Sequence, residues 1–377
     1  MAEKDEKLVS RIYDAEKSFS KLDIKDKKLL YYLSRNFRLQ IQDLSELLLL
    51  SRKTVEYRLN RLLEEKIILS SISVINPVML GFEVWLIVFK FQNTTPGKES
   101  ELIKQIKNDP SVFWLLRVTG KWDAMMGVFA KDMHDFTEKM HNFRSLVGSN
   151  LGNYDFVAWL SEFKYRNFIE GYFQGVELDK NYYKKLSPIE RMLEENIIEI
   201  IERKQEIKNI DKTDLEILEA LSENVRTPYN EIARNLEISL DKVKYRITKM
   251  IENNVLSGFW PSINLSKLGL EWYILFIRLR NASPKQRNEL GAFLKNHKFV
   301  VKAYTTLGLW DMVIDLYVYN TAHFTEILNE IKEKFHGIIQ DYESLLVMQE
   351  IHYTHFVKEF YKALPENQIK EKENKET

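Results

Sequence analysis

Residues 51–61 read SRKTVEYRLNR, and residues 239–249 read SLDKVKYRITK. In each, a serine stands where a helix N-cap belongs, ahead of apolar residues recurring three and four positions apart. Val55, Leu59, Leu62 and Leu63 form the first stripe; Val243, Ile247, Met250 and Ile251 form the second. At about 100° per residue the opposite face carries Lys53, Thr54, Glu56, Tyr57, Asn60 and Arg61. Its counterpart carries Asp241, Lys242, Lys244, Tyr245, Thr248 and Lys249. Between Ser51 and Arg61, Arg52, Lys53, Arg58 and Arg61 stand against the single acid Glu56. Between Ser239 and Met250, Lys242, Lys244, Arg246 and Lys249 stand against Asp241. Lys and Arg suit phosphates, whereas Asn, Thr, Tyr and Arg reach base edges. The competing reading is an ordinary solvated helix face, and the same pattern in both copies weighs against it and for DNA.

Upstream, each helix has two shorter companions. In the first copy, Asp26 starts a helix with Leu29, Leu30 and Leu33, a break falls at Arg35-Asn36, and Ile41, Leu44 and Leu47 mark a second. The second copy places Ile217, Leu218 and Leu221, then Ile232 and Leu236. Three short helices, the last after a tight turn, make a helix-turn-helix. Downstream, Ile67-Ile68-Leu69 with Ser73-Val74-Ile75, and Val255-Leu256 with Phe259-Trp260, suit a small β-wing in each copy.

The two copies belong to one duplication. Shifted by 188 positions, the chain matches itself without a gap. Asn36 and Arg38 fall on Asn224 and Arg226; Asn76, Leu80 and Gly81 fall on Asn264, Leu268 and Gly269; Gly120, Trp122 and Asp123 fall on Gly308, Trp310 and Asp311; Tyr165 falls on Tyr353. After each winged unit comes a β-α-β-β-α-β order: strand 83–91, a helix from Thr95-Pro96, strand 112–119, the turn Gly120-Lys121-Trp122-Asp123, strand 124–130, helix 136–146 and strand 156–163. That order is ferredoxin-like. Its first strand is apolar on both faces, with Trp85, Ile87 and Phe89 on one and Val84, Leu86 and Val88 on the other. Helices cover only one face of such a sheet, so the other needs a partner sheet. The second copy, in a pseudo-dimer, or another chain, in a homo-oligomer, supplies it.

The expected fold class is therefore α+β, in two tandem units, each a winged helix-turn-helix followed by a ferredoxin-like βαββαβ domain. The expected segments are an N-terminal extension (1–22), winged helix-turn-helix 1 (23–75), sheet domain 1 (76–168), a helical linker (169–210), winged helix-turn-helix 2 (211–263), sheet domain 2 (264–357) and a charged tail (358–377). In the linker, Ser187-Pro188-Ile189-Glu190 reads as a capping box. Ile189, Met192, Leu193, Ile197, Ile200 and Ile201 then make one stripe, which most simply packs on the chain's own domains.

Bulk composition narrows the function. The 377 residues carry 55 Lys+Arg against 55 Asp+Glu, so any attraction for nucleic acid is local. There is no Cys, which excludes disulfides, thiolate metal sites and Cys nucleophiles. No apolar run approaches a membrane span, and the expectation is a cytoplasmic protein without cofactor or metal. No phosphate-binding G-x-x-x-x-G-K-S/T loop, G-x-S-x-G elbow or H-E-x-x-H motif occurs.

The arrangement resembles the Lrp/AsnC, or feast/famine, regulators. The resemblance rests on D-x-x-D-x-x-I/L-L at Asp23–Leu30 and Asp211–Leu218, and on V-x-x-R at Val55–Arg58 and Val243–Arg246. It rests also on Asn76–Gly81 and on the G-x-W-D turns at Gly120 and Gly308, in the same order twice. It implies a transcription regulator that is not an enzyme. Its partner would be double-stranded DNA, contacted through Ser51, Arg52, Lys53, Thr54, Tyr57, Arg58, Asn60 and Arg61, and through Lys242, Lys244, Tyr245, Arg246, Thr248 and Lys249. It also implies assembly through the sheets and a small effector, such as an amino acid, near Gly120, Trp122, Asp123, Gly308, Trp310 and Asp311. For those six the competing reading is a tight turn with a buried Trp. The family is usually single-copy, so the fusion departs from its oligomer pattern.

Two other functions have the same outline. Siroheme decarboxylases look like paired units of this type and need basic and His residues at a tetrapyrrole. The seven histidines here occupy no equivalent positions in the two copies, and His352 with His355 would make a metal pair only on a helix. A nucleoid-bridging protein would use the same helices without sequence preference.

Overall fold

A computed structural model of the chain describes residues 11–12, 19–180, 182–196 and 209–364. A two-residue strand, β1 (Arg11–Ile12), precedes the first repeat's helices α1 (Ile24–Arg35), α2 (Ile41–Leu48) and α3 (Arg52–Glu64). Next come β2 (Ile68–Ile75), β3 (Glu83–Phe91), α4 (Pro96–Lys107), β4 (Val112–Thr119), β5 (Ala124–Ala130), α5 (Met133–Val147) and β6 (Leu151–Tyr165). The connecting segment holds α6 (Tyr182–Lys185) and α7 (Pro188–Asn196). The second repeat runs α8 (Lys212–Glu223), α9 (Tyr229–Asn235), α10 (Leu240–Glu252), β7 (Leu256–Ile263), β8 (Glu271–Leu279), α11 (Pro284–Asn296), β9 (Val300–Gly308), β10 (Met312–Val318), α12 (Thr321–Phe335) and β11 (Ile339–Tyr353).

Within each repeat the sheet has the ferredoxin-like order, β4-β5-β3-β6 and β9-β10-β8-β11. The repeats then join edge to edge. The first half of β6 pairs with β3 of its own copy (Trp85↔Ala158) and the second half with β9 of the other (Tyr165↔Lys302). Likewise β11 pairs first with β8 (Ile339↔Leu279) and then with β4 (Tyr353↔Trp114). The ring β11-β4-β5-β3-β6-β9-β10-β8 closes on itself, leaving no free edge among these eight strands. The strand expected at 156–163 is thus 15 residues long, because it serves two sheets.

The alternating faces of β3 part as the sequence implies. Val84, Leu86 and Val88 join a continuous core that includes Phe276 and Val313 of the second copy. Trp85, Ile87 and Phe89 pack under α4 and α5 with Leu102, Ile106 and Phe143. Trp85 stacks on Phe136 at 4.0 Å, and its repeat equivalent Tyr273 stacks on Phe324 at 4.1 Å. The second apolar face therefore finds its partner inside the chain.

Four features differ from the sequence reading. The stretches expected to make one wing per copy are single strands, β2 and β7, paired with each other in a ribbon shared by both repeats (Ile72↔Trp260). Asp26 does not start α1. Asp23 is its N-cap, and Asp26 is the third residue of a capping box. The tail expected from residue 358 begins with a packed turn, Lys358–Ala363, in which Phe360 is buried against Phe82 and Phe129. Leu63, counted in the apolar stripe, is 41% exposed. In the linker, Leu193 is buried, α7 lies against α10 and β7, and Glu194 pairs with Arg35 at 2.9 Å. Ile197, Ile200 and Ile201 fall outside the described residues.

Candidate nucleic-acid interface

Helices α3 and α10 are held the same way. Ser51 Oγ accepts from Thr54 N at 3.2 Å, and Ser239 Oγ accepts from Lys242 N at 3.2 Å. Each cap satisfies a backbone donor that the first turn would leave open. Val55, Leu59 and Leu62 seat α3; Val243, Ile247, Met250 and Ile251 seat α10. What remains outward includes Arg52, Lys53 and Asn60 on α3, and Lys242, Lys244 and Lys249 on α10, all exposed. Tyr57 and Tyr245 project from matching positions, 66% and 63% exposed. Thr54 and Thr248 are half-buried at the margins.

The arginines divide from this set. Arg58 Nη1 lies 2.7 Å from Asp23 Oδ2 and 2.6 Å from Asp26 Oδ1; Arg246 Nη1 lies 2.8 Å from both Asp211 and Asp214. Arg61 also pairs with Asp26, which is buried. Burial alone would raise the Asp23 carboxyl, but hydrogen bonds from Asp26 N and Arg58 hold it below the usual carboxylate range. The hydrogen bond to Asp23 pushes Arg58 upward in turn. The recurring D-x-x-D and V-x-x-R motifs are thus one device, clamping the third helix to the first in each copy. Among the described residues no ion pair engages Arg52, Lys53, Lys242 or Lys244, while Lys249 pairs with Glu252 at 2.7 Å.

The G-x-W-D turns are built alike. Trp122 and Trp310 are buried. Asp123 Oδ2 accepts from Phe91 N, and Asp311 Oδ2 from Leu279 N, each at 2.8 Å. The glycines have φ +129° and +148°, and each turn abuts the other copy's long strand. A Cβ on Gly120 would meet Ser344 O at 3.3 Å, and one on Gly308 would meet Phe156 O at 2.8 Å. Both acids spend a carboxylate oxygen tying the turn to the end of β3 or β8, which favours a structural role, while the turns' seat between the copies keeps them at a joint.

Reading the sequence missed a polar cluster inside the barrel. Tyr165 and Tyr353, repeat equivalents, meet with hydroxyls 2.9 Å apart, and His355 Nε2 lies 2.9 and 2.7 Å from them. Lys302 Nζ sits over the rings of Trp114, Tyr165 and Tyr353 at 4.7–5.0 Å. Burial, with Lys302 nearby, pulls His355 down to about 3, so the ring is neutral. The repeated tyrosine was the only signal available. His352 lies on β11 rather than a helix, and no group of three or more potential metal ligands occurs among the described residues.

Comparison with known proteins agrees with this architecture. A winged helix-turn-helix DNA-binding model matches residues 22–68 and again 210–257, and an Lrp/AsnC ligand binding domain model matches 273–356. The regulatory protein AsnC of Haemophilus influenzae is 30% identical over 141 residues, covering 37% of this chain and 93% of the relative. The transcriptional regulator LrpA of Pyrococcus horikoshii is 30% identical over 129 residues, covering 34% of this chain and 90% of the relative. Among solved structures, the siroheme decarboxylase NirDL shares the fold at TM-score 0.57 and 12% identity, covering 93% of this chain and 99% of that one. No described helix is long and apolar enough to cross a membrane. The chain belongs to the Lrp/AsnC family of helix-turn-helix transcription regulators, with two DNA-binding units in one polypeptide.

Proposed function

We propose that the two third helices read one asymmetric DNA site, each taking a different half. The observation that carries this is the pair of Ser-capped helices, alike in seating but unlike outward, with Lys53 against Asp241 and Asn60 against Thr248. Arg52, Lys53, Lys242 and Lys244 contact phosphates; Tyr57, Asn60, Tyr245 and Thr248 reach base edges. Arg58, Arg61 and Arg246 act one step back, by orienting the helices. A small effector near Trp122, Asp123, Trp310 and Asp311 would act at the joint between the copies. The chain works by binding rather than catalysis, inside the cell, and its fused barrel stands in for a dimer.

Selection of bound duplexes from a random pool, with affinities at two salt concentrations, tests this. Two unlike enriched half-sites are expected. Identical half-sites would overturn the asymmetric reading, and binding without a motif and with steep salt loss would point to a bridging protein. The likeness to NirDL together with the buried His355–Lys302 cluster favours one second reading, a decarboxylase, which tight tetrapyrrole binding without DNA binding would support.

A further inference from the structure

The repeated Asn-x-Arg at Asn36–Arg38 and Asn224–Arg226 has no part in the DNA-facing surface. Each asparagine side chain folds the turn after the first helix, Asn36 Oδ1 accepting from Arg38 N at 2.9 Å and Asn224 Oδ1 from Arg226 N at 3.0 Å. Each arginine then crosses to the other copy's turn. Arg38 Nη1 donates to Val225 O and to Thr227 O, the latter at 3.1 Å. Arg226 donates to Phe37 O at 2.5 Å and Leu39 O at 3.3 Å. The same turns hold the two strands of the shared ribbon, Phe37 N donating to Phe259 O of β7 at 2.8 Å and Val225 N to Ser71 Oγ of β2 at 3.2 Å.

Among the described residues neither arginine has a carboxylate partner; their acceptors are backbone carbonyls, and Arg38 lies 4.3 Å from the Tyr229 ring centroid. Burial holds both below the ordinary guanidinium range, although both stay charged. A part-buried charge held by carbonyls and aromatic rings, with no carboxylate, costs desolvation that a neutral apolar contact would avoid, so its use here is geometric. Each rigid guanidinium ties two carbonyls of one turn at once, Arg38 through Nη1 and Arg226 through Nη1 and Nη2. Each turn leads through a short second helix into the DNA-facing third helix, so tying turn to turn sets one third helix relative to the other.

We infer that Arg38 and Arg226 are reciprocal positioning residues that fix the spacing and rotational phase at which the two DNA-facing helices meet their half-sites. The inference rests on the two-helix reading proposed above. Each base pair added between half-sites rotates one against the other by about 35°, so a rigid reader must prefer one spacing.

The test uses the full chain and duplexes carrying the selected half-sites, with the spacer varied one base pair at a time over a helical turn. Wild-type affinity is expected to fall at least about tenfold within two base pairs of the optimum. In R38M/R226M the same profile flattens to within about twofold, with the preferred bases of each half-site unchanged. Lowered affinity by one factor at every spacing, the profile intact, would mean a stability role only and overturn the inference. So would a wild type with defined half-sites that ignores their spacing. Where the double variant does not fold, R226K gives the same comparison, since Arg226 reaches its two carbonyls from two separate nitrogens, which a single ammonium lacks. Absence of specific binding at any spacing would instead overturn the regulator reading beneath it.

Discussion

Four cationic side chains on one short helix read alike in a sequence, yet they split into two kinds in space. Lys53 faces solvent without an ion pair among the described residues, while Arg58 is spent on Asp23 and the buried Asp26. Substitution should separate them. Lys53→Ala is expected to leave stability within about 0.5 kcal/mol, to weaken DNA binding across sequences, and to lower the salt slope by about one. Arg58→Ala leaves a buried carboxylate short of a partner. It is expected to cost about 1–3 kcal/mol in denaturant unfolding, and to weaken DNA binding mainly through that loss. Equal effects of the two changes on stability would contradict the division. The sequence offered the motif spacing that joins Asp23, Asp26 and Arg58, but the charge count alone could not say which cations had been consumed.

At the scale of elements, the long strands β6 and β11 do what no single ferredoxin-like unit does. Each begins in its own sheet and ends in the other, and each is met midway, where it changes sheets, by a G-x-W-D turn. The turn at Gly308 is the tighter. A Cβ would lie 2.8 Å from Phe156 O at φ +148°, against contacts of 3.3 Å at Gly120. Gly308→Ala is therefore expected to lower the melting temperature more than Gly120→Ala, with a cost of about 1–3 kcal/mol at the first. Thermal unfolding of the two variants side by side checks the order. The wing shows the same theme of sharing. The stretches 67–75 and 255–260 each suit a separate small β-wing by sequence but pair with each other, since a sequence displays strand propensity but not the partner of a strand.

For the whole molecule, closure of the barrel makes the two copies one folding unit. Strand pairs β6–β9 and β11–β4, the ribbon β2–β7 and the reciprocal arginines all cross between them. Cutting the chain in the linker should therefore yield halves that do not persist as folded monomers. Residues 1–196 and 209–377, coexpressed, are expected to assemble one to one and to unfold in a single transition at the same midpoint by fluorescence and circular dichroism. Separate monomeric halves with independent melting would contradict this.

What the sequence determined by itself was the repeat, the two helix-turn-helix units, the ferredoxin-like order, the second apolar face on β3 and the family. The first four rest on periodicity, capping and spacing, which are local and therefore written along the chain, and the family rests on the resemblance its recurring motifs carry. Only the tertiary structure decided which copy covers which face, that the wings are one shared ribbon, that the V-x-x-R arginines serve the D-x-x-D acids, and that Asn-x-Arg reaches across to the other repeat. Each of those choices depends on which distant backbone group ends up within hydrogen-bond reach, and that is settled when the barrel closes.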